Sequence, residues 1–126
     1  MLFVACLALT CVSGPLAEAG DSVKIAADFP FQLDPAVAWN TARNEYLVVW
    51  EHYDGVRPNI RSRALSATGA HLGNEEILGT GVALRNRIRP AVAYSSVSQN
   101  YLVVFQSWAQ GSLTSDIEAQ MRIKRL

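Results

Sequence analysis

The sequence predicts an all-β fold: two four-stranded antiparallel sheets, blade-like in form. Three observations lead there. First, a motif returns at a fixed interval. Pro35-Ala36-Val37-Ala38-Trp39 comes back as Pro90-Ala91-Val92-Ala93-Tyr94, and Tyr46-Leu47-Val48-Val49-Trp50 as Tyr101-Leu102-Val103-Val104-Phe105, each 55 residues on. Second, the repeated runs are short, apolar and rich in valine and aromatic residues, which suits a pleated, buried surface. Third, Asn, Asp, Gly, Ser and Thr cluster between the runs, where turns require them. A fixed period of this length marks stacked supersecondary units, none of which can bury its apolar face alone. A β-sandwich of two four-stranded sheets is the alternative arrangement.

The first strand spans residues 35–39 and carries small side chains, Ala36 and Ala38. Residues 40–44 supply a turn, and residues 45–52 form a second strand. Its unbroken run of Tyr, Leu, Val, Val and Trp reads as buried on both faces, and the two strands make a hairpin. Asp54-Gly55 opens another turn, and residues 60–66 alternate more weakly as a third, more exposed strand. Residues 67–74 form a loop, and a fourth strand begins at residues 75–78 before Gly79-Thr80-Gly81 loosens it. The second copy matches three of these strands, at residues 90–94, 100–106 and 116–122, once two residues are inserted before Asp116-Ile117. Residues 22–27 lie one period upstream of residues 77–82 and read as a fourth strand that precedes the first three.

The segment 2–12 is apolar and uncharged, too short to span a bilayer. Ser13-Gly14-Pro15 breaks it, and Ala17-Glu18-Ala19 suits a leader-peptidase site. The reading is a secretory signal peptide over residues 1–19, although no Lys or Arg precedes the apolar run. A two-repeat domain follows over residues 20–126, with repeats at about 21–75 and 76–126. The chain is thus expected to be secreted or periplasmic, without stable membrane insertion. Both cysteines, Cys6 and Cys11, fall in the leader. The exported domain then depends on packing and sheet hydrogen bonds rather than disulfides. With 11 basic against 11 acidic groups, the charge balance argues against a nucleic-acid partner.

No motif for catalysis, cofactor or metal emerges, and the expectation is a protein without enzymatic activity. His52 precedes Tyr53-Asp54, but Ser107 stands where the second repeat should carry the histidine, so His52 reads as a strand-end residue. The carboxylates are scattered. Glu75-Glu76 is a neighbouring pair suited to an exposed edge, where charge deters strand pairing. Arg85, Arg87 and Arg89 alternate and would project to one side of an extended strand, as would Arg61 and Arg63. With the net charge balanced, they read as solvated faces. The binding candidates are Tyr53 and Trp108, one period apart and each followed by a Gly-containing polar loop. An aromatic face there can stack on a sugar ring while Glu51, Arg57 and Gln106 bond its hydroxyls. The competing reading places both rings in the core between blades.

The pattern P-A-V-A-[WY] followed by [EN]-Y-L-V-V-[WF] resembles a tandem repeat of large secreted bacterial proteins. The resemblance covers residues 21–126 and implies β-propeller blades. The third strand departs from that family's I-Y-G-Q-R, reading Ile60-Arg61-Ser62-Arg63-Ala64 and Ile117-Glu118-Ala119-Gln120-Met121 here. Three functions follow as expectations: a binding or scaffolding module, a small carbohydrate-binding lectin assembled from two-blade protomers, or a hydrolase whose site forms between chains or with further repeats. The expected partners are copies of itself or further repeats that close a ring, with a glycan or protein surface as ligand.

Overall fold

The computed structural model describes residues 22–27, 31–79 and 84–122. Residues 1–21, with the expected leader and both cysteines, lie outside them. Seven strands run in chain order: β1 (Phe31–Asn40), β2 (Glu45–Tyr53), β3 (Pro58–Ser66), β4 (Glu76–Leu78), β5 (Arg85–Ser95), β6 (Asn100–Ala109) and β7 (Asp116–Arg122). They form two antiparallel sheets, β1-β2-β3-β4 and β5-β6-β7. The second sheet therefore has three strands among the described residues, not the four expected of each. None of the described residues forms a helix long and apolar enough to cross a membrane.

The two sheets share one register. Leu47 pairs with Ala38 and Ala64, and Leu102 with Ala93 and Met121. Val49 pairs with Ala36 and Ser62, and Val104 with Ala91 and Ala119. The backbone repeats as well. β1 slips register between Leu33 and Ala36, and β5 between Ile88 and Ala91. Each slip holds a residue of positive φ, Asp34 at 47° and Arg89 at 53°. The hairpin turns end on Asn44 at 56° and Gln99 at 53°. These bulges lengthen β1 and β5 at their N-terminal ends beyond residues 35–39 and 90–94, because a bulge lets a strand bend and keep pairing.

Each sheet has two faces. We term the face carrying Leu47 and Val49, or Leu102 and Val104, the front, and the face carrying Tyr46, Val48 and Trp50, or Tyr101, Val103 and Phe105, the back. The main core joins Leu47, Val49, Ile60 and Leu78 to Tyr101, Val103 and Phe105. The front of the first sheet thus packs on the back of the second, so the two faces in contact are not register counterparts. β5 lies against β1, β2 and β3. Ala36 and Ala38 on one side and Val92 and Tyr94 on the other complete the packing. Polar bonds lace its edge: Arg122 donates to Ser62 Oγ and pairs with Glu76 at 2.5 Å, while Gly79 N–H donates to Gln120 Oε1 at 2.6 Å.

Strand β2 is buried on both sides, as its apolar run predicts: Leu47, Val48, Val49 and Trp50 are at most 7 % exposed. A second cluster on its back gathers Val48, Trp50 and Leu65, covered by Ile25 and Ala26. Residues 22–27 are consequently not a strand. They cross the back of the first sheet, held where Arg63 donates to Ile25 O and where His71 Nε2 meets Lys24 O at 3.0 Å. Ile25 and Ala26 pack their apolar side chains against that face. The aromatic pairs also repeat, Trp39 on Tyr46 at 4.5 Å and Tyr94 on Tyr101 at 5.2 Å between centroids, in the tilted geometry such rings favour.

Arg61, Arg63, Arg85 and Arg87 are not solvated, whereas Arg89 is exposed. Arg61 and Arg63 converge on Glu75 at 2.9 and 3.3 Å, which draws Glu75 inward while Glu76 stays exposed. Arg85 bonds Asp116 at 2.6 Å and Glu118 at 2.9 Å, and the buried Arg87 lies 3.7 Å from Glu118. Arg89 departs from the alternation because it occupies the bulge, and it points to the opposite side.

Candidate functional site

A cavity of about 370 Å³ opens on the front of the second sheet. β6 alternates, so Gln106 and Trp108 lie on that face together, and the cross-strand partner of Gln106, Ile88, adds an apolar wall. The bulge presents Arg89 at the rim. The loop after β6 closes the other side with Ser112, Leu113, Thr114 and Ser115. Gly111, with φ 81°, supports the turn that brings this loop back, and Ser112 N–H donates to Ala109 O at 3.0 Å. The hydroxyls are partly engaged. Gln106 Nε2 donates to Ser115 Oγ at 2.9 Å, and Thr114 N–H to Ser112 Oγ at 3.1 Å. The result is an indole face beside an amide, three hydroxyls and a guanidinium.

Two of the five binding candidates, Trp108 and Gln106, therefore meet in one cavity. The other three do not join them there. Glu51 lies on the front of the first sheet, and its carboxylate accepts a hydrogen bond from the Arg89 backbone N–H. Burial holds its carboxyl above the ordinary 4.5, with the Arg89 bond acting against that shift and Asp34 with it. Glu51 thus ties the sheets together behind the cavity rim. Tyr53 donates to Gly55 O at 3.3 Å, so its hydroxyl serves its own loop. Arg57 enters through its main chain: its N–H and that of Val56 each donate to Asp54 Oδ1 at 2.9 Å. Those bonds, the one from Arg57 first, hold the Asp54 carboxyl below its ordinary value against the opposing effect of burial.

Sequence reasoning placed Arg89 in an alternating arginine row that could meet an anionic ligand, and did not bring it, Thr114 or Ser115 to Trp108. The spacing of Arg85, Arg87 and Arg89 concealed the bulge, and only the period linking Asp34 to Arg89 could have suggested it. His52 is buried, with Nδ1 hydrogen-bonded to the Gln32 amide at 2.9 Å. Its counterpart Ser107 accepts from Arg85 Nε at 2.6 Å and donates to Glu118 Oε1 at 2.8 Å. Both positions are occupied by structural bonds. Among the described residues no group of three His, Cys, Asp or Glu is placed to hold a metal ion. The groups gathered at the cavity stack and hydrogen-bond. The chain matches no family model, no curated protein and no solved structure, so its classification rests on this geometry.

Proposed function

We propose that this chain is an exported, non-catalytic binding or scaffolding module built from propeller-type repeats. The front-to-back packing of its two sheets carries the reading. A sandwich related by a two-fold axis would bring like faces together, whereas a blade array presents the front of each sheet to the back of the next. β1 and β5, the first strand of each sheet, lie against one another, and Ala36 and Ala38 of β1 pack against the core. Small side chains suit the crowded axis of a blade array. The tandem-repeat resemblance points the same way.

A second reading, a small lectin, is favoured by the cavity at Trp108. An indole face with flanking amide, hydroxyl and guanidinium groups is the set that stacks on a sugar ring and bonds its hydroxyls. Titrating the purified chain against a panel of glycans and of glycosidase substrates separates the readings. Saturable binding that Trp108→Ala abolishes, with strand content intact, selects the lectin. Neither binding nor turnover leaves the scaffold, and turnover overturns the non-catalytic reading.

A further inference from the structure

We propose that the front of the second sheet docks the back of the first sheet of a second copy of this chain, so that copies join head to tail. The proposal rests on the front-to-back reading above. Leu102, Val104 and Ile117 hold the register positions of Leu47, Val49 and Ile60. The latter three are at most 1 % exposed, whereas Leu102 is 40 % and Ile117 77 % exposed. Met121, cross-strand from Leu102, is 53 % exposed as well. One apolar surface is covered inside the chain and its counterpart is open, and contiguous open apolar surface marks an interaction site.

The internal interface specifies what fits. Leu47 and Val49 are covered by Tyr101, Val103 and Phe105, whose counterparts on the back of the first sheet are Tyr46, Val48 and Trp50. A second copy would bring the same kinds of side chain in the same order. Residues 22–27 already cross that back face over Val48 and Trp50, but beside them it opens as an apolar cavity of about 510 Å³ lined by Val37, Tyr46 and Leu65.

The polar contacts change in matched pairs. Inside the chain Glu51 accepts from the Arg89 N–H. At the junction the counterparts are Gln106 and Asp34, so a neutral amide replaces the carboxylate where the facing residue has become acidic. Asp34 has the same positive φ as Arg89 and offers its N–H from the same kind of bulge. Arg122 bonds Ser62 inside the chain, and the counterparts of that pair are Leu65 and Ala119, both apolar. In these two pairs charge on one surface is absent where the other would leave it unpaired, which is what discriminates a cognate face from a chance one. The Gln106 end of the Trp108 cavity is where the Asp34 bulge would enter.

Sedimentation velocity on the full chain over a wide concentration range tests this. Wild type should assemble beyond the dimer, because a head-to-tail contact leaves a free face at each end until it closes. Leu102→Glu blocks the front and Val37→Glu, at a position 60 % exposed on the back, blocks the other face. Each variant alone should associate about 100-fold more weakly. Their mixture should form a one-to-one dimer and nothing larger, since each retains the face the other lacks. Circular dichroism verifies folding, and Ile117→Glu replaces Leu102→Glu should that variant unfold. A wild type that stays monomeric, single variants that still assemble, or folded variants that do not pair would each overturn the proposal. Contacts between Phe105 and Val49 read by NMR within the monomeric variants would show whether the internal stacking survives when the docking proposal fails.

Discussion

Two residues show how closely the sheets depend on one another. Gly79 has φ 75°, and a Cβ built there would lie 2.4 Å from Arg87 Nε. Arg87 is 8 % exposed at its side chain and held near Glu118, so it has little room to retreat. Gly79→Ala should cost about 1–3 kcal/mol through backbone strain and this clash, read by urea denaturation. Glu51 works in the other direction. Its folded pKa lies above the ordinary 4.5, so the native state binds more protons than the unfolded state just above that value. Stability must then fall as pH rises from about 4.5 through the raised value, and the penalty persists at neutral pH. Glu51→Gln keeps an acceptor for the Arg89 N–H, removes this slope, and should be at least as stable as wild type at pH 7. Denaturation midpoints across pH 4 to 8 check both statements. The sequence made Glu51 a candidate sugar ligand. Nothing local could reveal that a bulge in β5 turns the Arg89 N–H toward it.

At the scale of strands, the hairpins were legible and their faces were not. The run from Tyr46 to Trp50 announces burial on both sides, and β2 is so buried. The equivalent run from Tyr101 to Phe105 reads identically, yet Leu102 is 40 % exposed. Local pattern records what a strand is suited to bury, and only the stacking order decides which copy does so. Leu47→Ala should therefore cost about 2–5 kcal/mol, the range for a buried leucine. Leu102→Ala should cost about 1 kcal/mol or less in dilute, monomeric protein. Equal losses at the two positions would mean that the sheets are covered alike. Residues 22–27 teach a related lesson: one period downstream Ile77 and Leu78 lie in β4, whereas residues 22–27 form no strand and pack on a sheet face instead.

For the whole molecule, the consequential fact is that unlike faces meet. The sequence repeat requires two similar units, but it is equally compatible with a two-fold sandwich and with a directional stack. Side-chain sizes alone do not choose, because both faces of the strands are apolar. The polar pairs do choose, through Glu51 with Arg89 and Ser62 with Arg122, neither of which adjoins its partner in sequence. A directional stack leaves one front and one back partly open, and the proposed association and scaffolding role depend on that polarity. The most direct test is a methyl-to-aromatic NMR distance map of the monomer. Front-to-back packing predicts cross-peaks from the Phe105 and Tyr101 rings to the methyls of Leu47, Val49 and Ile60. Cross-peaks joining Leu102 and Val104 to Leu47 and Val49 instead would show like faces in contact and contradict it.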